Sequence, residues 1–413
     1  MSGSATLKGQ EWMTAAETRS VLAALVGQDS GARFVGGCVR NALLGVTVAD
    51  VDIATPLLPD EVMRRLEAAG IRAIGTGLDH GTVTAVTNKR AFEITTLRRD
   101  VATDGRRAKV AYTDSWSEDA SRRDFTMNAL YADSNGVVYD PVGGLADLKA
   151  GRVRFIGDAA TRIKEDYLRI LRLFRIHAWY GRGEIEGDAL RACAAARDHI
   201  KALSGERVQK EMLRLLEADK TVGVLRAMAA STILSEVLPG ALNFDRLERL
   251  CDVDANNFFA ADAILRLAAL VTSDEQAAAI ATRWRFSNED RDRLRALASS
   301  VVKIVSYMSV PELQRTLYRQ GQQRVRGLVR LRWAEDAKAS NAVQWRALLA
   351  IVDSWVRPVF PLTGRDVMNA GVPEGPLVGR VMGEVEDWWI DSNFTDDPFS
   401  IAERLKAVAQ ALV

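Results

Sequence analysis

The sequence predicts an α+β protein with a mixed head over about the first 150 residues and an all-helical remainder. Between residues 33 and 140, short β-branched runs alternate with glycine, aspartate and proline turns. After about residue 150, apolar residues recur at helical spacing to the end of the chain. The chain has 413 residues, which is too long for one ordinary core, so we expect two or more domains.

Local composition predicts the elements in chain order. A helix over residues 59–69 begins at Pro59, which suits a first helical turn, and ends before Gly70. Prolines and glycines in residues 358–376 predict a bend between late helices. Strands are predicted at residues 33–35, 51–54, 82–87 and 92–97, and further helices at residues 161–180, 188–202 and 206–218.

Composition restricts the class of protein. Apolar residues make up 48% of the chain and charged residues 26%, which is typical of a globular protein. No apolar stretch approaches the roughly 18 residues of a membrane span, and residues 1–12 lack the apolar core of a signal peptide. We therefore expect a cytoplasmic protein without a membrane partner, and no protein partner is indicated.

The cysteines and histidines predict no zinc site. Cys38, Cys193 and Cys251 lie far apart and form no CxxC pair, so we interpret them as buried reduced thiols rather than as metal ligands or disulfides. The chain has three histidines and no His-Asp dipeptide, which argues against an attached metal-dependent phosphohydrolase.

A net charge of only +1 does not by itself indicate a nucleic-acid partner, so such a partner would be bound by local patches. Residues 311–332 form one candidate patch, with a single acid, Glu312. The alternative is an ordinary solvated helix face. The arginines of the patch are Arg315, Arg319, Arg324, Arg326, Arg330 and Arg332.

A glycine pair and two aspartates predict a metal and triphosphate site. Asp50 and Asp52 stand two apart on a predicted strand, which points both carboxylates to one face. Two acids on one face repel each other unless a cation lies between them, and hard oxygen ligands suit Mg²⁺. Gly36 and Gly37 leave backbone N–H groups open to a triphosphate before a helix, where Arg40 adds a charged donor. A plain tight turn at the glycines is the alternative.

A third carboxylate is expected for two-metal phosphoryl transfer. Glu93 is the best candidate, because it stands on a predicted strand between Phe92 and Ile94 and so faces away from these apolar neighbours. The alternative is an isolated solvated acid.

Residues 122–129 place Arg123, Asp124 and Asn128 close together. Arg123 is suited to phosphate, and the side chains of Asp124 and Asn128 to ribose hydroxyls. The alternative is a salt-bridged entry to a strand.

Residues 161–180 carry a pair that can read a nucleobase. Asp166 and Arg169 are expected at i and i+3 on one helix face, and Arg172 and Arg175 continue that line. A carboxylate only accepts and a guanidinium only donates hydrogen bonds, so the pair matches cytosine and adenine and mispairs with uracil and guanine. The alternative is an intrahelical ion pair. The buried side of this helix is predicted to be Ile163, Tyr167, Ile170, Leu171 and Phe174.

Taken in order, these segments resemble the class II tRNA nucleotidyltransferase and bacterial poly(A) polymerase family. Each motif alone is unspecific, but five in order with suitable spacing are specific, and they cover residues 34–215 with the supporting element LSGERVQKEM (203–212). A weaker similarity is LTGRDVMNAGVPEGP (362–376). The five motifs are GGCVRNALLG (36–45), DVD (50–52), EITTLR (93–98), RRDFTMNA (122–129) and EDYLRILR (165–172).

The resemblance implies a polymerase-β-like nucleotidyltransferase head with a mixed sheet, followed by an all-α neck, body and tail that bind tRNA. The implied bounds are 1–150 for the head, 151–215 for the base-reading neck, 216–310 for the body and 311–413 for the tail. It implies that Mg²⁺ is held by Asp50 and Asp52, with Glu93 as the third catalytic carboxylate. The implied nucleotide-binding residues are Gly36, Gly37, Arg40, Arg123, Asp124, Asn128, Asp166, Arg169, Arg172 and Arg175.

The resemblance also implies an activity, the addition of CCA to the 3′ end of tRNA from CTP and ATP. GTGLDHGTVT (75–84) resembles the CCA-adding branch, and a full-length loop at residues 99–116, with GRRAKV (105–110), favours completion of the final A. A poly(A) polymerase and a partial CC- or A-adding enzyme remain alternatives. More distant alternatives are a non-catalytic RNA-binding protein and a nucleotidyltransferase for a small molecule.

Overall fold

The computed structural model describes residues 6–7, 9–26, 31–104, 107–299, 301–336 and 338–412. The chain divides into two compact units, residues 1–239 and residues 240–413. The first unit contains a mixed sheet followed by helices, and the described residues of the second unit form helices but no β-strand. This confirms the predicted α+β class. No helix among the described residues is long and apolar enough to cross a membrane. The four-part division of the chain stays a prediction.

The first unit begins with the head. Short 3₁₀ turns at Leu78–His80 and Thr126–Asn128 accompany its helices and strands. These are α1 (Glu11–Thr14), α2 (Ala16–Leu25), β1 (Arg33–Val35), α3 (Gly37–Leu43), β2 (Val51–Thr55), α4 (Pro59–Ala68), β3 (Arg72–Gly77), β4 (Thr82–Thr87), β5 (Arg90–Thr96), β6 (Arg98–Asp104), β7 (Arg107–Tyr112), α5 (Trp116–Ser121), β8 (Tyr131–Ala132), β9 (Val138–Tyr139) and α6 (Gly144–Ala150).

Seven strands form the main sheet in the order β3-β4-β5-β2-β1-β8-β9. β2 and β5 are parallel and the other neighbours are antiparallel, so the sheet is mixed as predicted. β6 and β7 form a separate two-stranded hairpin within the predicted loop at residues 99–116. Residues 105 and 106 of that loop lie outside the described residues.

Alternating burial explains why β4 and β5 pair on the core. Val83 and Ala85 of β4 and Phe92 and Ile94 of β5 are fully buried, with more exposed residues between them. This alternation fixes the register, since a slip of one residue would turn every apolar side chain to the other face.

The turn between β4 and β5 is equally specific. Asn88 and Lys89 both have positive φ, 47° and 64°, and connect the paired residues Thr87 and Arg90. Two central residues with positive φ match the twist of a two-residue hairpin, and asparagine tolerates this conformation well.

Helices complete the first unit, with two differences from the prediction. The helix expected over residues 188–202 ends at residue 195 and is followed by a 3₁₀ turn. The single helix expected over residues 161–180 is interrupted, because Asp166 has an extended backbone (φ −155°, ψ 106°) and its carboxylate accepts a hydrogen bond from the N–H of Leu168 at 3.1 Å. Aspartate competes with helical hydrogen bonds in this way. The helices are α7 (Ala159–Glu165), α8 (Leu168–Tyr180), α9 (Gly187–Ala195), α10 (Gly205–Leu216) and α11 (Thr221–Ala230), with 3₁₀ turns at Arg197–Ala202 and Leu234–Glu236.

The second unit packs its helices around its own apolar core, with a 3₁₀ turn at Ala339–Asn341. A bend is predicted over residues 358–376. Residues 355–363 lack regular structure, but residues 364–369 within the predicted bend form a short helix. The helices are α12 (Phe244–Asn256), α13 (Ala263–Leu270), α14 (Asp274–Arg283), α15 (Asn288–Ala298), α16 (Val310–Gln320), α17 (Gln322–Glu335), α18 (Ala342–Ser354), α19 (Gly364–Asn369), α20 (Pro376–Asp391) and α21 (Pro398–Leu412).

The basic segment of residues 311–332 is split between α16 and α17. Gly321, with φ 82° and ψ 147°, ends one helix and starts the next. Arg330 was expected among the RNA-binding arginines, and this expectation is wrong, because its side chain is 3% exposed and pairs with the buried Asp254. A guanidinium in that position compensates a buried carboxylate and does not reach an RNA phosphate.

Candidate active site

A cavity of about 410 Å³ in the first unit collects most of the predicted site residues. It is formed where the start of α3, the strand β2, residues 122–128 and the helix α8 meet. Its lining residues are Gly36, Gly37, Arg40, Asp52, Arg122, Arg123, Asp124, Asn128, Asp166, Arg169, Arg172, Arg175 and Ile176. Arg122 and Ile176 were not assigned from the sequence, and the signal for Arg122 was its place directly before Arg123.

The topology of the sheet brings the glycine pair beside Asp52. β1 and β2 are antiparallel, so Gly36 at the end of β1 lies near the start of β2. Gly36 has φ 74° and ψ −120°, a conformation open essentially to glycine alone. The turn therefore requires glycine where α3 begins.

The predicted carboxylates are placed side by side by the parallel pair of strands. Asp52 of β2 is in register with Glu93 of β5, and Glu93 is exposed while its neighbours Phe92 and Ile94 are buried, as predicted. Burial, followed by the charges of Glu93 and Asp50, raises the pKa of Asp52 to about 6, although Arg123 opposes this rise. The charges of Glu93 and Asp50 thus disfavour the ionised form of Asp52.

Asp50 differs from the prediction. It lies one residue before β2 rather than on the strand, and neither Asp50 nor Glu93 lines the cavity. The described residues contain no group of three His, Cys, Asp or Glu side chains that could jointly hold an ion. A cation here would be held by one or two of these carboxylates, and its remaining ligands would be water and substrate oxygens. That ligand set fits Mg²⁺.

Asp119 fixes two arginines at one wall of the cavity. Its carboxylate is 1% exposed and forms ion pairs with Arg122 at 2.7 Å and with Arg123 at 3.0 Å, and it accepts a hydrogen bond from the Tyr131 hydroxyl. Burial alone would raise the pKa of Asp119, but Arg123 and Arg122 hold it at about 2. Arg123 is therefore positioned by an ion pair.

Asp124 and Asn128 are engaged with cavity arginines. Asp124 is buried and pairs with Arg172 at 2.7 Å, and its other oxygen accepts hydrogen bonds from the Phe125 N–H and from the Asn128 side chain. The Asn128 oxygen in turn accepts a hydrogen bond from Arg40. The two side chains thus organise positive charge in the cavity.

The pair expected to read the base is close in space but is not an ion pair. Asp166 lies at the break between α7 and α8 and pairs with Arg207 of α10 at 2.7 Å. Arg169 pairs with Glu165 and donates to the carbonyl oxygens of Arg162 at 2.8 Å and Arg122 at 3.1 Å. The predicted i, i+3 relation on one helix is therefore wrong, since Asp166 is not helical, although both side chains line the cavity.

The helix α10 supports α8 through two residues that were not assigned roles from the sequence. Arg207 holds Asp166, and Glu211 is 7% exposed and pairs with Arg175. Both lie in the motif of residues 203–212, and their i, i+4 spacing is the signal that they share one face.

Two of the three cysteines conform to the prediction. Cys38 and Cys193 are buried free thiols and Cys251 is partly buried. Burial raises the pKa of Cys38 to about 11, so this thiol beside β2 is inert.

The other predicted RNA-binding arginines lie on α16 and α17 of the second unit. Arg319 is half exposed and lies 3.4 Å from Asp387 and Asp391, and Arg326 pairs with Asp353 at 2.7 Å. Arg315 and Arg324 instead donate to uncharged oxygens. Arg315 donates to the backbone carbonyl oxygen of Asp391 and to the side-chain amide oxygen of Asn393, and Arg324 donates to the backbone carbonyl oxygen of Ala296.

Comparison with known proteins places the chain in a family. A family profile described as "Poly A polymerase head domain" matches residues 32–154, and a second, described as "Probable RNA and SrmB- binding site of polymerase A", matches residues 184–244. The first of these regions includes the glycine pair, the carboxylates and the arginines of residues 122–123. By class, the fold and the cavity are those of a nucleotidyltransferase.

Relatives resemble nearly the whole chain. The mitochondrial CCA tRNA nucleotidyltransferase 1 of Mus musculus is 30% identical over 376 residues, which cover 88% of this chain and 83% of the relative. The CCA-adding enzyme of Streptococcus sanguinis is 34% identical over 373 residues, which cover 89% of this chain and 90% of the relative. The structure of the Bacillus stearothermophilus CCA-adding enzyme in complex with CTP has a TM-score of 0.74 at 26% identity and covers 95% of this chain and 96% of that chain.

The chain therefore belongs to the CCA-adding enzymes of the tRNA nucleotidyltransferase/poly(A) polymerase family. This confirms the resemblance that the ordered motifs indicated. Enzymes of this kind generally depend on a divalent metal.

Proposed function

We propose that this chain adds CCA to the 3′ end of tRNA, with CTP and ATP as substrates and pyrophosphate as product. The observation that carries the proposal is the cavity, in which a carboxylate, a glycine turn, six arginines and Asp166 converge. Relatives named for CCA addition support it, as does the similarity to an enzyme whose structure was solved with CTP.

The reaction is a nucleotidyl transfer. The 3′ oxygen of tRNA forms a bond to the α-phosphorus, the bond from that phosphorus to the bridging oxygen breaks, and the hydroxyl proton is released. Cavity arginines such as Arg123 and Arg40 bind the phosphate oxygens and stabilise the charge that develops on them. The Gly37 N–H adds an uncharged donor at this turn, whereas the expected Gly36 N–H is not available, because it donates to the carbonyl oxygen of Leu130 at 3.1 Å.

Mg²⁺ is the proposed cofactor, with Asp50 and Asp52 as the residues that would hold it and Glu93 as the third carboxylate. When bound, it lowers the pKa of the attacking hydroxyl and neutralises the triphosphate. Supporting this, no described residue donates a hydrogen bond to the carboxylates of Asp50, Asp52 or Glu93, and their mutual repulsion favours a cation between them.

Asp166 and Arg169 are the proposed template for C and A. The Asp166 carboxylate accepts a hydrogen bond from the exocyclic amino group of either base, and Arg169 donates a hydrogen bond to the ring nitrogen beside that group. Uracil and guanine present the reverse pattern, so each mismatch leaves a buried group unsatisfied, at a cost of about 1–3 kcal/mol. Arg172 and Arg175 are proposed to bind the nucleotide nearby.

The second unit is proposed to hold tRNA. The proposed RNA-binding residues are Arg315, Arg319, Arg324 and Arg326, and Arg330 is not among them because it is buried. Arg315 and Arg324 are the best candidates for phosphate, because no carboxylate among the described residues forms an ion pair with either. The proposed divisions are a base-reading neck at residues 151–215, a body at 216–310 and an RNA-binding tail at 311–413.

The decisive experiment incubates the pure protein and Mg²⁺ with tRNA that ends before C, after C and after CC. CTP and ATP are supplied singly and together, and the 3′ ends are sequenced. Addition that stops at CCA is the expected result. Stopping at CC, or adding A only to a CC end, would identify a partial enzyme, and a long A tail would identify a poly(A) polymerase.

The same assay excludes the more distant alternatives. No incorporation at all would favour a non-catalytic RNA-binding protein, and transfer to a small molecule but not to tRNA would favour an antibiotic-type nucleotidyltransferase. The cytoplasm is the proposed compartment, and imaging of the tagged protein in its host would test it, since some relatives are named as mitochondrial.

A further inference from the structure

Arg40 differs from the other arginines of the cavity in its charge balance. Its side chain is only 7% exposed, yet among the described residues no carboxylate forms an ion pair with it. The other five cavity arginines each have such a partner. These pairs are Arg122–Asp119, Arg123–Asp119, Arg169–Glu165, Arg172–Asp124 and Arg175–Glu211.

Neutral groups hold the Arg40 guanidinium instead. It donates to the amide oxygen of Asn128, to that of Asn41 at 3.0 Å and 3.2 Å, and to the hydroxyl of Tyr180 at 2.9 Å. Such partners fix a guanidinium in direction without cancelling its charge. A buried charge without a counter-ion costs free energy, and a bound anion would remove that cost, so the position of Arg40 favours anion binding.

Tyr180 contributes to this arrangement in two ways. The guanidinium carbon of Arg40 lies 4.0 Å from the centre of the Tyr180 ring, a cation–π contact, and the hydroxyl accepts from Arg40 while donating to the Asn41 oxygen at 3.0 Å. Tyr180 is the last residue of α8, and Arg40 lies on α3. The contact therefore connects the end of the base-reading helix to the glycine turn.

We propose that Tyr180 is a positioning residue for the triphosphate: its ring and hydroxyl hold Arg40 in the cavity, oriented but not neutralised. This rests on the proposed function, because it requires a nucleotide in the cavity. The triphosphate is common to CTP and ATP, so Tyr180 supports both equally and takes no part in the choice of base. Burial lowers the pKa of Arg40, as does the charge of Arg175, whereas Tyr180 and, less strongly, the more distant charge of Asp124 raise it.

The test compares Tyr180→Phe and Tyr180→Leu with the wild-type protein. Phe keeps the ring and removes only the hydroxyl, so the protein stays folded, and Leu removes both contacts. Binding of inorganic pyrophosphate, CTP and ATP in the presence of Mg²⁺ is measured by titration calorimetry. We expect Phe to weaken all three by the same factor, roughly threefold to tenfold, and Leu to weaken them further.

Trp179→Phe is the matched control. Trp179 precedes Tyr180 on α8, and its indole N–H donates to the carbonyl oxygen of Arg214 at 2.7 Å, so this change removes one hydrogen bond from the same helix end without touching Arg40. We expect it to leave pyrophosphate affinity unchanged.

Three results would overturn the positioning role: unchanged affinities in both Tyr180 variants, an equal loss in the control, or a loss confined to one nucleotide. These are distinct from failure of the proposed function. If the wild-type protein itself binds neither CTP nor pyrophosphate, the proposed function fails before Tyr180 is tested.

Discussion

Asp52 is held in the folded protein in an unfavourable charge state. Burial and the neighbouring carboxylates of Glu93 and Asp50 raise its pKa to about 6, from a usual value of 3.8. A raised carboxyl pKa means that the folded state resists ionisation more than the unfolded state does. The free energy of unfolding therefore falls as the pH rises from 3.8 through 6, and the cost is complete above that range. The ionised carboxylate is also the form that binds a cation. At Asp52, the charge state that catalysis requires is therefore the one that lowers the stability of the metal-free protein.

Asp52→Asn should abolish nucleotide addition and yet stabilise the metal-free protein. The amide has the same shape and cannot ionise, so the gain in unfolding free energy at pH 8 should be at most about 3 kcal/mol, and about half as large at pH 5. Denaturant titration in EDTA at both pH values measures this. A variant that is destabilised at pH 8, or whose gain does not depend on pH, would show that Asp52 carries no such charge cost.

At the scale of elements, α10 acts as a brace for α8. Arg207 and Glu211 lie four residues apart on α10, where Arg207 pairs with Asp166 just before α8 and Glu211 pairs with Arg175 on α8. One oxygen of the Asp166 carboxylate accepts a hydrogen bond from the Leu168 N–H at 3.1 Å, and the other pairs with Arg207 at 2.7 Å. The ion pair with Arg207 fixes the second oxygen, and base choice should depend on it.

Arg207→Met should therefore relax base choice more than it weakens triphosphate binding. We expect incorporation of C relative to U to fall roughly tenfold or more, because a carboxylate held only by the Leu168 N–H rejects the wrong base less well. The measurement is competition between CTP and UTP on a tRNA that lacks CCA. Arg214→Met is the control, since Arg214 lies on the same helix, its side chain is 61% exposed, and it pairs with the neighbouring Glu217 rather than with Asp166 or α8. Equal discrimination in the Arg207 variant and the control would refute the role of the brace.

Elements with strong local signals could be predicted from the sequence. The strands of the head carry alternating or β-branched runs, and the helix over residues 59–68 has its own start and stop residues. Features that depend on contacts between distant residues could not be predicted in this way. The break at Asp166 depends on a hydrogen bond to Leu168 and on Arg207, which stands 41 residues away, and local periodicity contains neither.

The site shows the same limit. Motif order predicted which side chains converge on the cavity, but their pairing was not predictable, since a motif shows residue type and not partner. Arg123 and Arg169 were read as free to bind ligands, whereas the structure ties them to Asp119 and Glu165. Arg40 was also interpreted as a ligand-binding arginine, and among the described cavity arginines it is the one that forms no ion pair with a carboxylate.

At the scale of the whole molecule, each of the two units has its own core, and that of the second unit includes a buried ionic cluster. Asp254 of α12 is 2% exposed and lies beside Arg330 of α17 and, at 3.7 Å, Arg266 of α13. The cluster therefore links three helices of the second unit. Arg330 belongs to this core, which explains why counting arginines along the sequence overstates the basic surface.

Asp254→Ala should destabilise the second unit and leave the nucleotide cavity intact. Removing the carboxylate takes away the ion pair of the buried Arg330 guanidinium, which costs about 3–5 kcal/mol, whereas Asp353→Ala, which breaks the exposed pair with Arg326, should cost less than about 1 kcal/mol. Hydrogen exchange should show lost protection in α12, α13 and α17, with the strands β2 and β5 unchanged. Because the cavity lies within the first unit, binding of CTP should persist while binding of tRNA falls, if the second unit holds the RNA. Loss of CTP binding together with protection in β2 and β5 would instead show that the two units fold as one cooperative body.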